Sequence, residues 1–200
     1  MEGPDFEQAW HYAQQRLEHE LSPSLTYHSV WHTQSDVVPA VQRLATLEDL
    51  DDESTLLLVT AAWYHDMGFI YQQAGHEAIG VQIATENLPG FGYTAAQIEI
   101  ISGLIMATKL PQSPQTHLEE LMADADLDNL GREDFLPVAH KLRTEQETFG
   151  VVQTDDEWYR MEIGFLEDHT YFTETAHQLR NAGKQANIET LYELMQNSRK

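Results

Sequence analysis

A chain of 200 residues with 11 Lys and Arg against 33 Asp and Glu carries a formal net charge of −22. That charge excludes a surface built to grip a phosphate backbone with clustered cations. There is no Cys, so disulfides and thiolate metal sites are excluded, and any metal must be held by His and carboxylate side chains.

Hydrophobic residues make up 42% of the chain, which fits one globular domain over residues 1–200. No apolar run reaches the roughly 18–20 residues of a membrane span. The opening stretch MEGPDFEQAW is acidic and lacks the basic-then-apolar pattern of a secretion signal, so a cytoplasmic protein is expected. The pattern is helical almost throughout, with little sustained period-two alternation. It predicts an all-α, compact helical bundle of about eight or nine helices.

A helix begins near His28, and Pro39 should kink or restart it, because proline lacks an N–H and crowds the preceding turn. Ser54 to Met67 is apolar on nearly every face and predicts a central, buried helix that Gly68 stops. From His76, Ile79 and Ile83 recur at helical spacing until Pro89-Gly90. Three segments carry a capping-box signature: Thr94 with Gln97, Thr116 with Glu119, and Thr154 with Glu157. Residues 154–200 predict one or two helices packing on the rest.

Three stretches carry chemistry. In YHSVWHT, His28 and His32 stand four apart, a spacing that puts both rings on one helical face. In AAWYHDMG, His65-Asp66 closes the most apolar helix, where an ionised carboxylate is costly unless paired or bound to metal. In MADADLDNLG, Asp124, Asp126 and Asp128 sit among apolar neighbours; an acidic helix face suits Asp128 best. Together these form a nitrogen and oxygen ligand set suited to Mn, Fe, Zn, Mg, Co or Ni. His11, His19, His117, His140, His169 and His177 read as packing or surface.

In this order, on an all-α chain, the residues resemble the HD-domain metal-dependent phosphohydrolase superfamily over roughly residues 27–143. YHSVWHT is similar to the Y-H-N-x-x-H segment of cyclic-nucleotide phosphodiesterases, with Ser29 in place of Asn. DADLDNLG is similar to the segment that carries the family's last ligand. The resemblance implies a bundle of the HD-domain type with one divalent metal on His32, His65, Asp66 and Asp126, and Asp124 orienting a ligand or a basic partner. It implies His28 as proton donor to the leaving oxygen, and His76 with Glu77 facing the substrate phosphate. Lys109 and Arg143 are the candidate phosphate-binding cations. The substrate is then a nucleotide or another small phosphate ester. Two-metal relatives use extra histidines before the last Asp, and here Thr108 stands about where one is expected. That favours phosphate chemistry over the rival di-iron oxygenase. A nucleotide-binding regulatory module without turnover is the other alternative.

Overall fold

Side-chain caps decide where most of the helices begin. In the computed structural model, which describes residues 3–198, Asp5 accepts the Gln8 N–H and opens α1 (Phe6–Glu20). Asp51 accepts the Ser54 N–H and opens α3 (Asp52–Tyr64), two residues before the predicted start. Thr94 and Thr154 form complete capping boxes at α5 (Ala95–Ala107) and α8 (Asp155–Asp168). At α6 (His117–Asp126) the box is half made: Thr116 accepts the Glu119 N–H, but the Glu119 carboxylate turns to the Gln115 N–H instead. The remaining helices are α2 (Val38–Leu47), α4 (His76–Asn87), α7 (Phe135–Thr148) and α9 (Glu174–Ser198). The described residues thus hold nine α-helices and no strand.

The predicted break at Pro39 takes a specific form. The helical run starts at Val30, and His32–Val37 is a π-helical turn in which the Val38 N–H reaches Thr33 O. The wider turn precedes the proline, whose missing N–H leaves an ordinary helical bond unmade. His28 consequently lies before the helix, not on one face with His32 as their spacing suggested.

Apolar side chains collect in two clusters. The larger joins residues of α1 to α6, with α3 at its centre: every residue from Leu57 to Tyr64 is buried. The smaller joins Leu127 and Leu130 to residues of α7, α8 and α9. Gly68 does more than end a helix: a Cβ there would lie 1.9 Å from His76 O. The absent side chain lets the start of α4 close against the end of α3.

Candidate metal centre

Four elements deliver their ends to one point. The π turn supplies His32, the end of α3 supplies His65 and Asp66, the last residue of α6 is Asp126, and the first residue of α4 is His76. His32, His65 and Asp66 are buried, and one donor atom from each lies within 4.8 Å of the others. Asp126 Oδ1 stands 3.3 Å from His32 Nε2 and 3.4 Å from His65 Nε2. Asp66 Oδ2 is 3.3 Å from His65 Nε2 and 3.8 Å from His32 Nε2.

Both imidazoles are oriented from behind. His32 Nδ1 lies 3.2 Å from Asp36 Oδ2, and His65 Nδ1 lies 2.7 Å from Ala62 O. A ring that donates from Nδ1 turns its Nε2 lone pair to the cluster, the arrangement that metal-binding histidines use. Asp36 is held in turn by Arg132. His65 Nε2 and Asp66 Oδ2 are buried and make no hydrogen bond among the described residues. Orphaned polar atoms at the meeting point of two rings and two carboxylates fit a cation.

The electrostatics agree. Burial opposes charge on His32, but hydrogen bonds to Asp126 and Asp36 outweigh it and raise its pKa to about 9. Burial likewise opposes charge on His65, yet Asp66 and Asp126 raise it well above the ordinary value. Burial would raise Asp66 and Asp126, but the histidines hold Asp66 well below the usual range and Asp126 at about 2. The cluster is short of positive charge.

A cavity of about 670 Å³ opens beside this cluster. His28 borders it: Nδ1 lies 2.5 Å from Glu145 Oε1, while Glu145 Oε2 accepts the backbone N–H groups of Tyr27 and His28. Burial favours the neutral Glu145 acid, but His28 and those N–H groups hold its pKa down. Phe69 sits between two imidazoles, its ring centroid 4.1 Å from that of His28 and 4.0 Å from that of His76. His76 Nδ1 faces Gln73 O, and its Nε2 lies 3.4 Å from Asp66 Oδ1. Glu77 is buried on the cavity wall; its Oε1 is 3.8 Å from His76 Nε2, and its Oε2 makes no hydrogen bond among the described residues. Thr108 lines the cavity, and Lys109 is the only lysine or arginine among the described lining residues.

Three expectations need correction. Arg143 does not line the cavity; it pairs with Glu147 at 3.2 Å and Asp155 at 2.8 Å, and its guanidinium lies over the Trp158 ring. Asp124 orients no ligand: it accepts the N–H groups of Phe172 and Thr173 and the Thr173 hydroxyl, tying α6 to the start of α9. Asp128 is no exposed face. It is 2% exposed and pairs at 2.7 Å with both Arg43 and Arg180. Asp36, Arg132, Phe69 and Glu145 join the site without a motif that marks them for it. Only Asp36 had a local signal, four residues after His32.

One lining residue is out of keeping with its surroundings. Glu162 of α8 is 6% exposed, and burial alone raises its carboxyl to about 7 from 4.5. A raised folded-state pKa means that the stabilising contribution is complete below the unfolded value and is lost as pH rises through the folded one. Between pH 4.5 and 8, wild type should therefore lose up to about 3 kcal/mol relative to Glu162→Gln. Urea denaturation of both proteins across that range checks this. A stability difference that does not change with pH would remove the buried-charge explanation.

No family model matches the chain. No curated protein matches it either. Solved structures do match over nearly its whole length. One is the crystal structure of a predicted HD superfamily hydrolase from an uncultured Thermotogales bacterium: 18% identity, 97% of this chain and 93% of that one, TM-score 0.64. Another is Bacillus subtilis YpgQ in complex with ADP: 18% identity, 96% of this chain and 94% of that one, TM-score 0.67. At this identity the likeness concerns the fold.

Proposed function

We propose, from the premise that this chain has the HD-domain fold, that it is a metal-dependent phosphohydrolase acting on a nucleotide or another small phosphate ester. One observation carries the reading: among the described residues, His65 Nε2 and Asp66 Oδ2 are buried without hydrogen bonds where His32 and Asp126 also converge. His32, His65, Asp66 and Asp126 would hold one divalent ion, for which Mn, Fe, Mg, Zn, Co and Ni all suit the donors. When bound, such an ion supplies Lewis acidity, drawing charge from a phosphoryl oxygen and lowering the pKa of water.

The chain's own residues do the rest. Glu145 anchors Nδ1 of His28, which leaves Nε2 to face the departing oxygen and pass it a proton. Phe69 fixes that ring by stacking. His76 keeps its proton more readily than a free imidazole: burial opposes this, and Asp66 outweighs burial. It thus offers Nε2–H beside Asp66, with Glu77 behind it, and can bind a phosphoryl oxygen there. Lys109, which makes no ion pair among the described residues, adds a point charge at the cavity. The ADP bound to YpgQ supports a nucleotide as the substrate class.

Metal content tests this first. Protein purified without chelator or metal-affinity tag should retain about one divalent metal per chain. It should hydrolyse a nucleotide or an aryl phosphate, stop when a chelator is added, and resume with Mn. Failure to bind any of the candidate metals would overturn the reading. Two irons per chain with a visible absorption band would move it to the oxygenase alternative.

A further inference from the structure

The cavity continues beyond the histidines, with walls from the other half of the chain. Phe149, Val151, Met161 and Phe165 line that part, and the apolar Phe149 and Val151 stand half exposed at its edge. A phosphate needs no such surface; a flat, apolar body does. Two polar groups interrupt it. Glu162 sits in α8 at a position built for the core: Trp158 and Leu166, one turn before and after, are each 0% exposed. Glu162 lines the cavity, and its carboxyl makes no hydrogen bond or ion pair among the described residues. Gln146 of α7 also lines the cavity, and its buried amide oxygen makes no hydrogen bond among the described residues. Buried acceptors without donors are costly, and a ligand that supplies donors recovers that cost.

We propose that this part of the cavity is a base-recognition subsite, that Glu162 is its specificity-determining residue with Gln146 as a second acceptor, and that the base it selects is guanine. This rests on the reading of the cavity as a nucleotide site. The argument is donor geometry. Guanine presents N1–H and the N2 amino group side by side, a pair that one carboxylate accepts with both oxygens. The second amino hydrogen remains for an acceptor such as the Gln146 oxygen. Adenine places the N1 lone pair next to its amino group, so a carboxylate facing it has one oxygen bonded and the other against a lone pair. Cytosine has the same mismatch, and uracil offers a single N–H between two carbonyls. The aromatic and thioether walls suit stacking on the purine faces.

Nucleosides test this without any phosphate chemistry. Binding of guanosine, inosine and adenosine to the purified protein is measured by calorimetric or NMR titration. Guanosine should bind at least about tenfold tighter than inosine, which lacks the N2 amino group and both of its hydrogen bonds. Adenosine should bind more weakly still. Glu162→Gln should lose at least about tenfold in guanosine affinity and gain on adenosine, because its amide can donate to adenine N1. A merely structural role for Glu162 would not invert the preference. Equal binding of the three nucleosides by wild type, preference for adenosine, or no binding of any would overturn the proposal; these comparisons need no variant to fold. If guanosine is selected while no nucleotide is ever hydrolysed, the phosphohydrolase reading fails alone. If nucleotides are hydrolysed with no preference for guanine, the base subsite fails alone.

Discussion

His65→Ala protein should fold, keep its helix content and lose its metal. The side chain points Nε2 into the cluster and ends a helix whose stability rests on eight consecutive buried residues before it, so truncation removes a donor and leaves α3 packed. Removing even an outer partner of a metal site costs about 10–100-fold in affinity or activity. Loss of a donor should cost more than about 100-fold, with turnover falling in parallel. Asp126→Ala should behave in the same way. Asp124→Ala gives the opposite pattern. Its carboxylate accepts three hydrogen bonds from Phe172 and Thr173, so its loss should lower the melting temperature while metal is retained. Elemental analysis and thermal melts of the three variants read both quantities. Retention of metal by His65→Ala at the wild-type stoichiometry would reject the assigned ligand set.

Two glycine-to-alanine changes should move stability in opposite directions. Helix propensity favours alanine over glycine by about 1 kcal/mol at an interior position. Gly164 lies inside α8, and a Cβ added there meets nothing within 4 Å, so Gly164→Ala should gain roughly that amount. Gly183 lies inside α9, but there a Cβ would stand 2.1 Å from Gly131 O. The contact is reciprocal, since a Cβ on Gly131 would stand 2.3 Å from Arg180 O. Helix α9 therefore rests on the Asp128–Gly131 turn backbone to backbone. Asn187 clamps it there through Leu130 O and Arg132 O at 2.9 Å, and Arg180 through Asp128. Moving the backbones apart to admit a methyl group strains all of these bonds. Gly183→Ala should cost about 3 kcal/mol. That corresponds to roughly 6–12 °C in a chain of this length. Urea denaturation of the two variants beside wild type checks the signs, and a stabilised Gly183→Ala would contradict the close approach.

The helices and the metal-ligand candidates could be read from the chain because their signals are local. Caps at Thr94, Thr116 and Thr154 act across three residues, and α3 is apolar over one unbroken run. The expected bundle of helices is the one the structure has. His32 stands out by its spacing from His28, and His65, Asp66 and Asp126 by their apolar neighbours; the resemblance implies the four as ligands, and the fold brings them together. Partners were not legible in the same way. Glu145 reaches His28 across 117 positions, and nothing near either residue announces the other. Arg143 looked like a phosphate ligand because cations are scarce, yet α7 aims it at Glu147 and Asp155. Asp128 looked solvated because alternating aspartates suggest a wet face; the turn after α6 instead buries it among arginines from α2 and α9.

The sequence by itself determined which segments are helical, where they start, and which side chains are available to bind a metal. Hydrogen bonds between near neighbours and the burial of apolar runs set those features, and both are written within a few residues. Tertiary structure alone decided which charges pair, that Asp124 fastens α9 while Asp126 faces the histidines, and that Glu162 meets a cavity. Those outcomes depend on where distant helices return to one another. The spacing of residues within a helix says which face they share but not what that face will meet.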